Sequence, residues 1–214
     1  MADLFRALAD NNGADNTPVG NRPTGTADGD YLLALVQSAS ATETITVVPS
    51  GWTLVQEDTT VADFTTWLYE KTAASEPATW SWTKSAAAAW RVSVTAFQNV
   101  HATTPRNAQA VENIAGANTI AVGPITPSVD GCTIWTAGSV DATGAARTWT
   151  ADGTPTERLD ALAQSLHTAI YTEEQVTAAA ITRSLTVTGS VQDISGHIVA
   201  IAPAAGGGGG PTLF

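Results

Sequence analysis

Three histidines, His101, His167 and His197, are the side chains best suited to moving protons near neutral pH, but nothing around them completes a catalytic set. Nucleophilic catalysis joins a Ser, Cys or Thr to a base. The chain has no Gly-x-Ser-x-Gly turn, and its single cysteine, Cys132, lacks a histidine at any recognisable spacing. No His-x-His or His-x-x-x-His pair is present to seed a metal site, and one cysteine excludes both a Cys-based zinc site and an intramolecular disulfide. The sequence therefore assigns no catalytic residue, no metal ligand set and no cofactor, and reads as a non-enzyme. Asp28-Gly29-Asp30 resembles the start of an oxygen-ligand loop for a hard cation, yet the later ligands are missing. A turn leading into the first strand is the simpler reading. Twenty acidic residues could supply the carboxylate pair of a glycoside hydrolase, but no feature selects two of them. Glu157, Glu173 and Glu174 read as solvated edge or loop charges.

The seven tryptophans are the one unusual enrichment. Aromatic faces stack on sugar rings, so Trp52, Trp67, Tyr69, Trp135 and Trp149 form a candidate glycan-binding set if they share an exposed surface. Large aromatics also build cores and interfaces. Trp80, Trp82 and Trp90 lie in alternating strand patterns that predict inward packing.

Charge narrows the partners. Twenty Asp and Glu stand against nine Lys and Arg, a formal net charge of −11, with the basic residues scattered from Arg6 to Arg183. Such a chain has little with which to neutralise a phosphate backbone or to seek an anionic membrane, so nucleic acid and lipid surfaces are excluded as natural partners. The N-terminus lacks the basic and apolar regions of a secretion signal, and no run of about 18 apolar residues follows. Charged residues are 14% of the chain, well below the usual ~25%; Thr, Ser, Asn and small residues must build much of the surface.

These features sit on an all-β framework. Residues 11–30 are dense in Asn, Gly, Pro, Thr and Asp, which places an extended arm at 1–28. From Tyr31 onward, short runs rich in Val, Ile, Thr, Tyr and Trp alternate with turn residues, the pattern of an antiparallel two-sheet β-sandwich. Strands are expected at 30–37, 43–48, 52–57, 64–72, 79–84, 90–98, 108–113, 119–122, 131–139, 146–150, 155–161, 165–172, 176–188 with one break, and 194–202. Trp90, Val92, Val94 and Ala96 would face a core while Arg91, Ser93 and Thr95 face away. The run His197–Ile201 is apolar on both faces and belongs at a sheet centre, with His197 toward the more polar side. Arg183 shares a face with Ile181, Leu185 and Val187, which requires a rim position, a paired charge or an interface. Residues 29–203 form the sandwich, and 204–214, with five consecutive glycines, form a flexible tail.

The runs GDYLLALV (29–36), PSGWTLV (49–55), WLYEKTAASEPATWSW (67–82), WRVSVTAFQNV (90–100), TPSVDG (126–131) and IVAIAP (198–203) occur in the order and spacing of a β-sandwich domain found in phage virion proteins. The chain resembles that family, which is commonest in minor tail and capsid-associated proteins of phages of actinobacteria, over residues 29–203. The resemblance implies a jelly-roll-like or lectin-like sandwich with a structural or adhesive role in the virion, assembled in the host cytoplasm, and no catalytic residues to transfer. It further implies a small subunit, homo-oligomeric and in many cases trimeric, that decorates a capsid or tail and binds other virion proteins. The apolar residues at the two ends, Leu4, Phe5, Leu213 and Phe214, are the expected anchors on those partners. Recognition of a host glycan by exposed aromatics is the alternative.

Overall fold

The computed structural model describes residues 4–59, 63–142, 147–190 and 192–205, among which there is no helix. The first half of the chain forms β1 (Phe5–Gly13), β2 (Val19–Asn21), β3 (Tyr31–Ser38), β4 (Ile45–Val47), β5 (Thr53–Asp58), β6 (Thr65–Thr72), β7 (Thr79–Ser81), β8 (Thr83–Lys84) and β9 (Trp90–Phe97). The second half forms β10 (Arg106–Ala117), β11 (Thr119–Ile125), β12 (Cys132–Asp141), β13 (Trp149–Ala151), β14 (Thr156–Ala163), β15 (Leu166–Gln175), β16 (Ile181–Val187) and β17 (Gln192–Ile201).

Two antiparallel five-stranded sheets, ordered β1-β9-β3-β6-β5 and β10-β17-β12-β15-β14, pack face to face as the sandwich. Each is covered on its outer face by a smaller layer. The pairs β2-β7 and β4-β8 close over the first sheet around Trp52, Trp67, Trp80, Trp82 and Trp90. The sheet β11-β16-β13 closes over the second around Val122, Trp149, Leu185 and Ile198. The centre between the main sheets is Leu33, Leu35, Leu68, Phe97, Trp135, Ile170, Val199 and Ile201.

The strand orders reveal an internal repeat. Replacing β1, β9, β3, β6 and β5 by β10, β17, β12, β15 and β14 converts one sheet into the other. The registers agree in detail: Tyr31 pairs with Thr72 as Thr133 pairs with Glu174, and the β1/β9 shift between Phe5 and Ala7 recurs in β10/β17 between Arg106 and Ala108. Gly29 and Gly131, each following an Asp, both turn with positive φ, as do Gly51 and Gly153. Gln37 and Ser139, equivalent positions of the two halves, are hydrogen-bonded to each other, which places them beside the pseudo-twofold axis.

Residues 5–13 are not an arm. They pair with β9 along its length, and the sheet buries Leu4, because an edge strand needs ladder partners on one side only and tolerates the Asp, Asn and Gly that suggested a loop. Nor is β9 half-buried. Arg91, Ser93 and Thr95 are as inaccessible as Val92 and Val94, since both faces of the sheet are covered. Polar side chains on the inner faces bond across the gap: Thr168 Oγ1 donates to Gln37 Oε1 at 2.7 Å, Trp135 Nε1 to Thr95 Oγ1 at 3.2 Å, and Thr66 Oγ1 lies 2.8 Å from His197 Nε2. A buried polar group left without a partner costs about 1–3 kcal/mol, so these bonds hold the sheets in one relative position.

In the two five-stranded sheets all four edge strands, β1, β5, β10 and β14, carry a register shift, whereas the pairings among their central strands run without interruption. Such bulges and the charges on these strands discourage edge-to-edge growth. Close packing is as specific in the outer layers. A Cβ on Gly138 would meet the Trp149 ring at 2.7 Å, so Gly138→Ala is expected to cost about 1–3 kcal/mol by overpacking, read as a lower urea midpoint at unchanged slope.

Candidate functional site

The sequence-expected binding residues that fall among the described ones pack within the protein. Leu4 is 3% exposed, and Phe5 packs edge-on to Phe97 at 6.5 Å with the Arg158 guanidinium 3.8 Å above its ring. Both therefore serve the protein's own core in place of a partner. Leu213 and Phe214 lie outside the described residues. Trp52, Trp67, Tyr69, Trp135 and Trp149 are all 6% exposed or less and belong to three different cores, so no aromatic sugar-stacking surface exists among them. For Trp52, Trp67, Tyr69 and Trp149 the cause is the extra layers, which cover faces that a two-layer sandwich leaves to solvent, whereas Trp135 lies between the two main sheets.

Asp30 is a latch for the first strand. Its carboxylate accepts the Ala27 N–H at 2.8 Å and pairs with Arg6 at 2.6 Å, while Asp28 accepts the Ser75 N–H at 2.6 Å. Among the described residues no group of three or more His, Cys, Asp or Glu converges to hold a metal ion. The histidines stand apart: His101 Nδ1 caps the Thr104 N–H in a loop, His167 Nε2 meets Asp160 at 2.7 Å on the outer face of β15, and His197 lies inside the sandwich. Burial pushes the Cys132 thiol up to about 11, which leaves it protonated and unreactive. Of the three roles open to Arg183, pairing holds: its Nη2 donates to Glu173 at 2.7 Å, tying β16 to β15.

A concave polar site lies at the end of the sandwich where β5 and β6 meet the loop before β10, and a second of about 330 Å³ adjoins it between Ser50, Lys71, Glu76 and Trp80. The first is a cleft of about 340 Å³ lined by Tyr31, Gly51, Thr53, Glu70, Lys71, Thr72 and residues 103–106. Strand parity aims Tyr31, Thr53, Glu70 and Thr72 to the inner face, because Tyr31 pairs with Thr72 and Thr53 pairs with Glu70. The Tyr31 hydroxyl donates to Glu70 Oε2 at 2.6 Å, and Arg106 donates to the same carboxylate from Nε at 2.7 Å and Nη2 at 3.1 Å. Arg106 Nη1 is in turn held by Gln109. Lys71 lies across the turn at Gly51, donating to the Ser50 carbonyl at 3.1 Å and pairing with Glu76 at 2.8 Å. A Cβ on Gly51 would stand 2.9 Å from Lys71 Cε, and the backbone there has positive φ, so glycine serves both needs.

Burial alone would raise the Glu70 pKa, but the bonds from Arg106 and Tyr31 hold it below the usual carboxylate range. Burial, reinforced by the Glu70 charge, pushes the Tyr31 phenol well above its ordinary value. Glu70 thus stays ionised and Tyr31 protonated across neutral pH. The floor of the cleft is thus a hydrogen-bonded trio of Tyr31, Glu70 and Arg106 with fixed protonation states. Sequence reasoning did not find the cleft, because its residues come from four distant stretches and carry no motif.

No family model and no curated protein matches the chain. Among solved structures, HutD from Pseudomonas fluorescens SBW25 aligns at 10% identity over 92% of this chain and 79% of that one, with a TM-score of 0.28. A conserved protein of unknown function from Pseudomonas aeruginosa PAO1 aligns at 10% identity over 92% of this chain and 98% of that one, with a TM-score of 0.31. Likeness at this level carries no functional argument.

Proposed function

We propose that this chain is a structural subunit of a phage virion, a small capsid-decoration or minor tail protein that binds neighbouring virion proteins and performs no catalysis. The observation that carries the reading is the ordered series of family-like runs between Gly29 and Pro203, which fall on consecutive parts of one folded unit, among them β3, β6, β9 and β17. Its construction suits a load-bearing part: four layers, bonds between the sheets, and edges blunted by bulges. In this reading the chain assembles on the particle as a homo-oligomer, a trimer being the form the resemblance suggests.

Charge indicates the kind of surface it meets. Arg6, Lys71, Lys84, Arg91, Arg106 and Arg183 are each paired with a carboxylate of the same chain. The remaining acidic residues dominate the outer surface, so the complementary partner face is basic and its binding weakens with salt. The main chain is anchored as far as Ala204, whose N–H donates to the Asn99 carbonyl at 2.8 Å. Removing residues 206–214 is accordingly expected to leave the melting temperature unchanged and, if Leu213 and Phe214 anchor a partner, to lower particle occupancy.

The test is co-sedimentation of the purified protein with empty capsids and with isolated tails, alongside its mass by light scattering. Saturable binding to either particle, reduced by salt, is the expected result. A monomer that sediments with neither overturns the reading.

A further inference from the structure

We propose that the cleft formed by Tyr31, Glu70, Lys71 and Arg106 is a binding site for a neutral polyhydroxylated ligand, a sugar of one or two rings. The inference stands independently of the virion reading, and it uses none of the tryptophans, which are buried.

The internal repeat supplies the first argument, because it shows what the fold needs at this position. By register, the positions equivalent to Tyr31, Glu70, Lys71 and Arg106 in the other half are Thr133, Thr172, Glu173 and Phe5. There, Arg158 closes over Phe5 and donates to Thr172 Oγ1 at 2.7 Å. One end of the pseudo-symmetric sandwich is thus sealed by an aromatic and a cation, while the other opens into a cleft with a hydrogen-bonded Tyr, Glu and Arg at its floor. The repeat folds without that trio, so the trio has another role.

Charge and valence then select the ligand. Glu70 is neutralised by Arg106 and Lys71 by Glu76, so the cleft offers no net charge to attract a phosphate or a metal cation. Hydrogen-bonding capacity of both signs is left over. Each terminal nitrogen of the Arg106 guanidinium uses one N–H and keeps another, Glu70 Oε1 retains a lone pair while Oε2 already accepts from Tyr31 and Arg106, and Thr53, Thr72 and Thr103 are exposed residues of the rim. Ligands that both donate and accept from neighbouring atoms at no net charge are vicinal alcohols. The volume, about 340 Å³, lies within the range of small-ligand pockets. The floor is preorganised, since Tyr31 and Gln109 fix the carboxylate and the guanidinium before any ligand arrives.

The experiment is a titration of the full chain, followed by amide NMR shifts, with a panel of free hexoses, pentoses and their disaccharides, and with inorganic phosphate and glycine as competitors of other charge type. The expected result is saturable shifts at Gly51, Thr53, Thr72, Thr103 and Thr104 for at least one sugar, with a Kd on the order of 1 mM. The rim variant Thr53→Val/Thr103→Val should weaken that binding about tenfold with an unchanged melting temperature. Thr156→Val, at the equivalent place in the other half, should leave it unaltered. Absence of saturable shifts with every sugar, shifts confined to another surface, or tighter binding of phosphate or glycine would each overturn the proposal. None of these outcomes bears on particle binding, which is read from sedimentation.

Discussion

Arg91→Met is expected to destabilise the protein by about 3–5 kcal/mol, the range for breaking a buried ion pair by removing one partner. The guanidinium is fully buried between the sheets. It donates to both Asp10 oxygens at 2.9 Å, to the Leu166 carbonyl at 3.3 Å and to the Ala161 carbonyl, while Ser93 Oγ also donates to Asp10 at 2.7 Å. One side chain therefore ties β1 and β9 of the first sheet to the β14–β15 hairpin of the second. Methionine fills much of the space but leaves two carbonyls without the guanidinium donor and the Asp10 carboxylate with only the Ser93 hydroxyl of these donors. Asp10 is 22% exposed and regains some hydration, which places the effect toward the lower end of the range. Urea unfolding of Arg91→Met, Asp10→Asn and the double variant checks the argument. The double variant should lose clearly less than the sum of the singles, and a single-variant loss below about 1 kcal/mol would show that the pair behaves as a surface contact.

The second large effect is acid sensitivity centred on His197. Burial pushes its pKa down to about 4, against a weaker opposing pull from Asp58, because the ring is enclosed between the sheets with Thr66 and Gln56 at its nitrogens. In the unfolded chain the ring titrates near 6.5, so between these values the unfolded state binds more protons than the folded one. Stability contributed by neutral His197 is complete above about pH 6.5 and is lost progressively as pH falls toward about 4, by on the order of 3 kcal/mol. His167, also lowered by burial, acts in the same direction. Glu70 and Glu76, held below their ordinary values, add their losses at more acid pH. Unfolding midpoints measured from pH 7 to 4.5 should fall for the native chain and fall much less for His197→Gln; parallel slopes for the two proteins would contradict the assignment.

Central strands were legible in the sequence because β3, β6, β12 and β17 are runs of Leu, Val, Ile, Thr and Trp bounded by turn residues, and period-two patterning aligns them with either face. The same patterning misled at Arg91, Ser93 and Thr95. Alternation distinguishes apolar from polar faces, not buried from exposed ones, and in a four-layer stack the polar face of β9 lies inside as well. The strands β1 and β2 were hidden because edge and accessory strands tolerate Asn, Asp and Gly. The repeat was hidden for a related reason: register and face are shared while side chains are not, as with Leu33 against Trp135, Gln37 against Ser139 and Glu70 against Thr172. Those substitutions erase sequence similarity yet preserve packing, and the last of them helps create the cleft. Among the sequence-expected anchors, Leu4 and Phe5 show how apolar residues ahead of the first central strand pack on their own sheet edge in place of a partner.

The most direct test of the central claim is quantitative peptide counting on intact particles purified from a lysate of cells that carry the gene. A structural subunit is predicted to be present in fixed proportion to the major capsid or tail protein, to survive particle washing at low salt, and to be depleted at high salt. Complete absence from purified particles, with the protein recovered free in the lysate, would contradict the account.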